Sequence, residues 1–92
     1  MRFDWDPPKE LANQRKHGVS FQQARAVFAD PLAVSIPDPD APEQRWITIG
    51  EADALGLLVV GHTYREAGGR EVIRVISARR ATRGERRRYE EG

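Results

Sequence analysis

The sequence predicts an α+β fold in which an N-terminal strand and two helices precede a four-stranded antiparallel meander and a C-terminal helix. Three observations predict it. Stretches rich in β-branched residues follow one another through short connections in the second half of the chain. One capping-box signature precedes these stretches, and a second follows them. A chain of 92 residues is expected to form one domain, 1–92, which buries about 60% of its unfolded surface.

The first elements are a short strand and a helix. Residues 2–5 alternate between polar and apolar side chains, which is typical of a strand. The segment Asp6-Pro7-Pro8 predicts a helix start, because Asp can cap free amides and Pro fits the first helical position. This helix is expected to reach about His17 and to end at Gly18.

A second helix is predicted between Ser20 and the breaker Asp30-Pro31. Ser20 and Gln23 form a capping box, in which each side chain accepts from the backbone N–H of the other residue. Apolar residues then recur at helical spacing and indicate a buried face: Phe21, Ala24, Val27 and Phe28.

The second half of the chain contains the four strands of the meander. They are predicted at residues 32–36, 44–50, 57–65 and 71–78. A stiff acidic loop, 37–42, joins the first two, and Gly68-Gly69 predicts a tight hairpin between the last two. Thr82 and Glu85 form the later capping box, so a last helix is expected to run from there through Tyr89.

Composition excludes several classes of protein. The chain has no cysteine, so disulfides and thiolate chemistry are excluded, and no apolar run is long enough to span a bilayer. A signal peptide is not evident at the first residues, and we expect a cytoplasmic protein without a membrane partner. Residues 70–92 contain eight arginines and four glutamates, whereas residues 1–69 have a net charge of −3. This asymmetry favours an anionic partner at the C-terminal end.

Alternation along strand 71–80 predicts which arginines share a face. Arg74, Ile76, Ala78 and Arg80 would lie on one face, and Ile73, Val75, Ser77 and Arg79 on the other. On the neighbouring strand, His62 and Tyr64 would share one face, and Thr63 and Arg65 would share the other. The best candidate for a phosphate site is a basic patch that combines Arg65 or His62 with Arg74, Arg79 and Arg80, since the planar guanidinium binds phosphate oxygens two at a time.

The candidate residues fit one metal-free reaction. His17 and His62 have no partner at metal-ligand spacing, and the chain lacks a nucleophile elbow and a phosphate-binding loop, so no metal or cofactor is expected. RNA supplies its own nucleophile, the ribose 2′-OH. An enzyme then needs proton-transfer groups, for which His, Lys or Tyr are suitable, and a cation for the charge that develops on phosphorus.

Each candidate also has a structural interpretation. Lys16 and His17 stabilise a helix C-terminus by their charge alone. His62 is suited to a structural role within a strand, and Arg74 to a cross-strand ion pair. Arg86, Arg87 and Arg88 cover more than one helix face, so part of this run is expected to be solvated. Tyr89 is suited to anchoring the last helix.

Two motifs in combination resemble the BrnT family of toxins. They are Lys-His-Gly-Val-Ser-Phe at 16–21 and Ile-Ser-Ala-Arg-Arg-Ala at 76–81. The similarity extends over nearly the whole chain through further segments: Phe3–Pro7, Val27–Pro31, Arg45, His62-Thr63, Arg74, Glu85-Arg86 and Tyr89-Glu90.

This resemblance implies the toxin of a type II toxin–antitoxin system, with a RelE-like fold and endoribonuclease activity that stops translation without a metal. The implied partner is BrnA, a ribbon-helix-helix antitoxin through which the complex binds its own operator DNA. Arg79 and Arg80 would then stabilise the transition state, together with His62 or Arg65. Lys16, His17, Arg74 and Tyr89 would contact the RNA. A non-catalytic RNA- or protein-binding module, acting as co-repressor, is the alternative.

Overall fold

The computed structural model of the protein describes residues 1–41 and 44–92. The strands are β1 (Arg2–Asp4), β2 (Val34–Pro37), β3 (Trp46–Glu51), β4 (Leu57–Ala67) and β5 (Arg70–Arg80). The helices are α1 (Pro7–His17), α2 (Phe21–Ala24) and α3 (Arg83–Glu91), with 3₁₀ segments at Arg25–Ala29 and Asp53–Leu55. The predicted α+β element order is therefore confirmed.

The five strands form one sheet in the order β1-β5-β4-β3-β2. Strands β2 to β5 form the predicted antiparallel meander, and β1 joins its edge parallel to β5. The β4–β5 hairpin is longer than predicted and turns at Gly68 and Gly69, which both have positive φ. At the other edge, β2 begins two residues later than predicted, and Pro42 of the predicted acidic loop lies outside the described residues.

The second predicted helix is only partly α-helical. Ser20 and Gln23 form the predicted capping box, but the α-helical hydrogen bonding ends at Ala24 and continues as 3₁₀ turns to Ala29. Breakers at Asp30-Pro31 leave little length for an α-helix, and tight 3₁₀ winding is frequent near helix ends. The prediction of a continuous α-helix to Asp30 is therefore wrong, although Phe21, Ala24 and Val27 are buried as predicted.

A β-bulge in β5 determines which residues share a face. Gly61 pairs with Ser77, whereas the next residue, His62, pairs with Val75, so Ile76 is an extra residue without a partner. A bulge of one residue reverses the alternation beyond it. The prediction that residues 74, 76, 78 and 80 lie on one face is consequently wrong.

The helices α1 and α2 cover one face of the sheet, which we call the helix-covered face. Its core contains Val19, Phe21, Ala24, Val27, Leu58, Val60, Ile73, Val75 and Ala78. Asn13 connects α1 to β5 beyond the end of β1: its amide donates to the carbonyls of Ala78 and Val19 (2.8 and 2.9 Å) and accepts from the N–H of Ala78 (3.1 Å). The Asn13 side chain therefore supplies hydrogen-bond partners for the N–H and the carbonyl of Ala78, at a part of the β5 edge that β1 does not reach.

The opposite face, which we call the open face, is covered at one end by α3, and no other helix of the described residues lies on it. Ile49 and Val59 lie on this face and are 1% and 3% exposed. Tyr89 fixes the position of α3, because its hydroxyl donates to Oδ2 of Asp30 (2.7 Å) in the turn before β2. In the described part of the chain, no helix is long and apolar enough to cross a membrane.

Candidate functional site

The bulge and the strand pairing place the predicted basic residues on different faces. Arg74 and Arg79 lie on the open face. Arg80 lies across from Leu58 on the helix-covered face and donates to the carbonyl of Leu55 (2.7 Å). The prediction of one basic patch that contains Arg74, Arg79 and Arg80 is therefore wrong in its geometry.

His62 is a buried group of the helix-covered face. Its side chain is 0% exposed, its Nε2 lies 2.7 Å from Oγ1 of Thr48, and its ring packs edge-on against Phe28 and Tyr64. Burial lowers the pKa of His62 to about 4, so the ring is neutral at neutral pH. The structure does not bring His62 together with the arginines of the open face.

Arg79 is held in place on the open face by Glu85. Its Nη1 and Nη2 donate to the two carboxylate oxygens at 2.7 and 2.8 Å, and Nη1 also donates to the carbonyl of Arg80 (3.3 Å). The hydrogen bond to Glu85 raises the pKa of Arg79, and the reverse contact lowers the pKa of Glu85 to about 2. The Nε–H and the second Nη2–H are not used by these bonds. They point in the same direction and form a fork suited to two oxygens of a phosphate.

Glu85 has two structural functions. Its carboxylate accepts from the backbone N–H of Thr82 (2.9 Å), and its own N–H donates to Oγ1 of Thr82 (3.3 Å), which completes the predicted capping box. The same carboxylate binds Arg79. Sequence reasoning identified the first function and missed the second, because a contact between a strand end and the following helix has no characteristic spacing.

A cleft of about 570 Å³ lies between α3 and the open face. Its floor is apolar and consists of Ile36, Ile47, Ile49 and Val59. Gly61 and Ser77 lie beside this floor, and a Cβ at position 61 would come within 2.5 Å of the Ser77 hydroxyl, which would then have to rotate away. Three arginines and four acidic residues line the cleft: Arg79, Arg87, Arg88, Asp38, Asp40, Glu85 and Glu91. The cleft therefore combines an apolar floor with charges of both signs.

Arg65 and Arg74 lie at the other end of the open face, next to β1. Asp4 accepts hydrogen bonds from both, through Oδ2 from Arg65 and through Oδ1 from Arg74 (3.3 Å). These side chains are 53% and 39% exposed. The predicted structural alternative for Arg74, an ion pair with a neighbouring strand, is thus present, although its partner lies on β1.

The remaining candidates lie outside the cleft. Lys16 and His17 are in the last turn of α1, one turn beyond Asn13, near the end of β5. Tyr89 faces Asp30, and this hydrogen bond raises the pKa of Tyr89 to about 12. Asp30 also accepts from the N–H of Glu51 (2.8 Å), and these bonds lower its pKa. Tyr89 therefore anchors α3 and does not line the cleft.

Within residues 1–41 and 44–92, no group of three or more His, Asp or Glu side chains is placed to hold a metal ion.

Comparisons with known proteins agree on one family. Residues 5–85 match the family model described as the ribonuclease toxin BrnT of type II toxin–antitoxin systems. Among solved structures, the chain is similar to the Brucella abortus ribonuclease toxin BrnT, with a TM-score of 0.66 and 28% identity, covering 90% of this chain and 99% of that one. The comparison with curated proteins found no match.

Proposed function

Because the chain belongs to the BrnT family of ribonuclease toxins of type II toxin–antitoxin systems, we propose that it is an endoribonuclease that cleaves RNA without a metal ion and thereby stops translation. The observation that carries this proposal is the orientation of Arg79. Glu85 holds the guanidinium at the cleft in one position, with its Nε–H and one Nη2–H available to a phosphate.

In this reaction the 2′-OH of the RNA attacks the adjacent phosphate, the 5′-oxygen leaves, and the product ends in a 2′,3′-cyclic phosphate. Negative charge develops on the phosphate oxygens in the transition state. A donor that is already oriented toward this charge typically contributes about 3–4 kcal/mol, because no reorganisation is needed during the reaction. Arg79 is such a donor, and Glu85 orients it.

Proton transfer requires side chains that a bound RNA can reach. Lys16 and His17 lie in the last turn of α1, whose Asn13 binds the edge of β5 at Ala78, next to Arg79. They are exposed and half-buried respectively, and we propose them for RNA contact or proton transfer at this edge of the sheet. Neutral His62 would have to leave the core to participate, and Arg80 is bound to the carbonyl of Leu55 on the other face, so neither is retained in the proposed site.

The family also implies an antitoxin partner. We propose that this partner is a ribbon-helix-helix protein of the BrnA type and that operator DNA is bound only through it. Support comes from the cleft, whose apolar floor of isoleucine and valine side chains is suited to apolar side chains of a protein segment. An antitoxin that filled the cleft would cover the free donors of Arg79.

Expression of Arg79→Gln tests the proposed activity, with Arg86→Gln as the matched control. Both variants lose one arginine charge, but Arg86 lies on α3 outside the cleft lining. We expect the wild type and Arg86→Gln to arrest growth and to cleave RNA in EDTA, leaving 2′,3′-cyclic phosphate ends. Arg79→Gln should cleave roughly 100–1000-fold more slowly, as expected when one transition-state donor is lost. Equal cleavage by all three proteins would refute the assignment of Arg79.

The apolar floor of the cleft favours a second candidate function, namely a non-catalytic module that binds its partner as co-repressor. In that case the purified wild-type protein would form no cleaved RNA, while the partner would still bind tightly. The same cleavage assay, run beside a measurement of antitoxin affinity, distinguishes the two functions.

A further inference from the structure

Charge is distributed unevenly along the open face. The cleft beneath α3 contains three arginines and four acidic side chains, so it is not an attractive site for a polyanion beyond the single position at Arg79. At the other end, four arginines and one aspartate occupy neighbouring open-face positions of β1, β4 and β5: Arg2, Arg65, Arg70, Arg74 and Asp4. We call this group the arginine platform.

The strand register explains why the arginines of the platform lie together. Arg2 and Arg65 are the two lateral neighbours of Val72, and Arg70 and Arg74 precede and follow Val72 on the same face of β5. Val72 is only 3% exposed although no helix within residues 1–41 and 44–92 covers this end of the open face. Long arginine stems readily cover an apolar neighbour while their charged heads remain in water, and here they surround Val72 on all sides.

Asp4 orients part of the platform without neutralising it. It binds both Arg65 and Arg74, which leaves one surplus charge on that pair. Arg2 and Arg70 have no ion pair among the residues that the structure describes, so the platform has a net charge of +3. Glu71, which lines a depression beside Arg2 and Arg70, reduces this surplus by one charge at most.

We propose that the arginine platform binds backbone phosphates of single-stranded RNA on the side of the cleavage position away from α3. Arg74 and Arg79 are on the same strand and the same face. Their partners on β4, Thr63 and Val59, are four residues apart, which at about 3.3 Å each separates the two arginines by roughly 13 Å. A strand of RNA that runs along β5 over Ser77 would contact both arginines. The choice of RNA as ligand rests on the proposed function, whereas the charge and geometry of the platform do not.

The chemistry of the platform favours a phosphate backbone over an acidic protein segment. Its cations are all arginines, whose planar forks bind two phosphate oxygens at once, and they are spread along a face that continues into the cleft. The platform also offers no apolar pocket of the kind that anchors a protein partner, since Val72 is already buried.

Salt-dependent binding tests the platform. The double variant Arg2→Gln/Arg70→Gln removes two arginines that Asp4 does not hold, and Arg83→Gln/Arg86→Gln removes two from α3 outside the cleft lining. The probe is a fluorescent single-stranded RNA in which every 2′-OH is methylated, so that it cannot be cleaved. For single strands, each lost phosphate contact reduces the slope of log K against log salt concentration by about 0.7.

We expect the platform variant to lose about 1.4 from this slope, with weaker binding at low salt, and the α3 variant to retain the wild-type slope. Equal slopes for the wild type and the platform variant would overturn the proposal. If the platform variant with its unchanged slope had also lost binding to polyglutamate, the ligand of the platform would be an acidic protein segment instead. If the slope falls as expected but unmodified RNA is never cleaved, the platform stands and the proposed nuclease activity fails. If unmodified RNA is cleaved but the slopes are equal, the proposed nuclease activity stands and the platform proposal fails.

Discussion

The ion pair between Glu85 and Arg79 can be removed by a substitution that leaves the cap of α3 intact. Glu85→Gln removes the carboxylate charge but retains an oxygen that can accept from the backbone N–H of Thr82. The chain already uses glutamine in this way, because the Oε1 of Gln23 accepts from the N–H of Ser20 at 2.9 Å. The variant therefore isolates the contact with Arg79 from the start of α3.

The structure sets the magnitude of the expected loss. The pKa of Glu85 falls from its usual 4.5 to about 2, which corresponds to about 3 kcal/mol as an upper value. Hydrogen bonds from Thr82 contribute to this value, and the Arg79 side chain is 39% exposed, so screening by water reduces the share of the ion pair. We expect Glu85→Gln to lower the free energy of unfolding by about 1–2 kcal/mol near neutral pH, as for other charge-assisted hydrogen bonds.

The pH dependence of this loss identifies its origin. Below about pH 4.5 the carboxyl of the unfolded chain is protonated, whereas in the folded protein it stays ionised until about pH 2. The stabilisation is therefore complete above pH 4.5 and disappears as the pH falls through about 2. Urea unfolding followed by circular dichroism should show a difference between wild type and Glu85→Gln near pH 7 that closes near pH 2.

Two further measurements test whether the ion pair with Glu85 holds Arg79 in place. Thr82→Ala removes one cap hydrogen bond and should cost about 1 kcal/mol, with little of the acid-dependent change shown by Glu85→Gln. A double-mutant cycle with Arg79→Gln should give a coupling energy of about 1–2 kcal/mol. A coupling energy near zero, or a Glu85→Gln effect of the same size at both pH values, would show that the pair does not hold Arg79.

Three further outcomes follow from buried or close contacts. Because burial lowers the pKa of His62 from 6.5 to about 4, the free energy of unfolding should fall by up to about 3 kcal/mol as the pH drops through this range. Urea unfolding of the wild type and of His62→Gln over this pH range checks this, and the same pH dependence in both proteins would contradict it. Asn13→Ala leaves the N–H and carbonyl of Ala78 without their partner and should cost about 2–4 kcal/mol in urea unfolding, so a loss below about 0.5 kcal/mol would show that water replaces the amide. Gly50→Ala would place a Cβ 2.8 Å from Cγ1 and 3.0 Å from the carbonyl oxygen of Val27 and should cost about 1–3 kcal/mol, whereas an unchanged unfolding midpoint would mean that the 3₁₀ segment shifts freely.

Local signals in the sequence were sufficient for most of the fold. Both capping boxes form as predicted, since a Ser or Thr followed three residues later by Gln or Glu satisfies backbone groups within a single turn. The hairpin at Gly68-Gly69 and the central, apolar strand β4 also depend on short-range patterns. These elements required no knowledge of how distant segments pack.

The site was less predictable, because its geometry depends on one unpaired residue. Alternation along β5 is correct on each side of Ile76 but reverses there, which places Arg74 on the face of Arg79 and separates Arg74 from Arg80. Neither side of the bulge differs in residue type from an ordinary strand. The contacts of Asp4 with Arg65 and Arg74 were equally inaccessible, since they require β1 to lie beside β5, and a three-residue strand does not specify its neighbour.

The parallel pairing of β1 with β5 also has a kinetic consequence. Asp4 and Arg74 are 70 positions apart, so the sheet can close only after most of the chain has been synthesised and a large loop has been brought together. Contacts of such long sequence separation slow folding, because the entropy of loop closure opposes them until they form. During synthesis at the ribosome, the open face with its platform and cleft therefore assembles late, and a partly made chain carries neither.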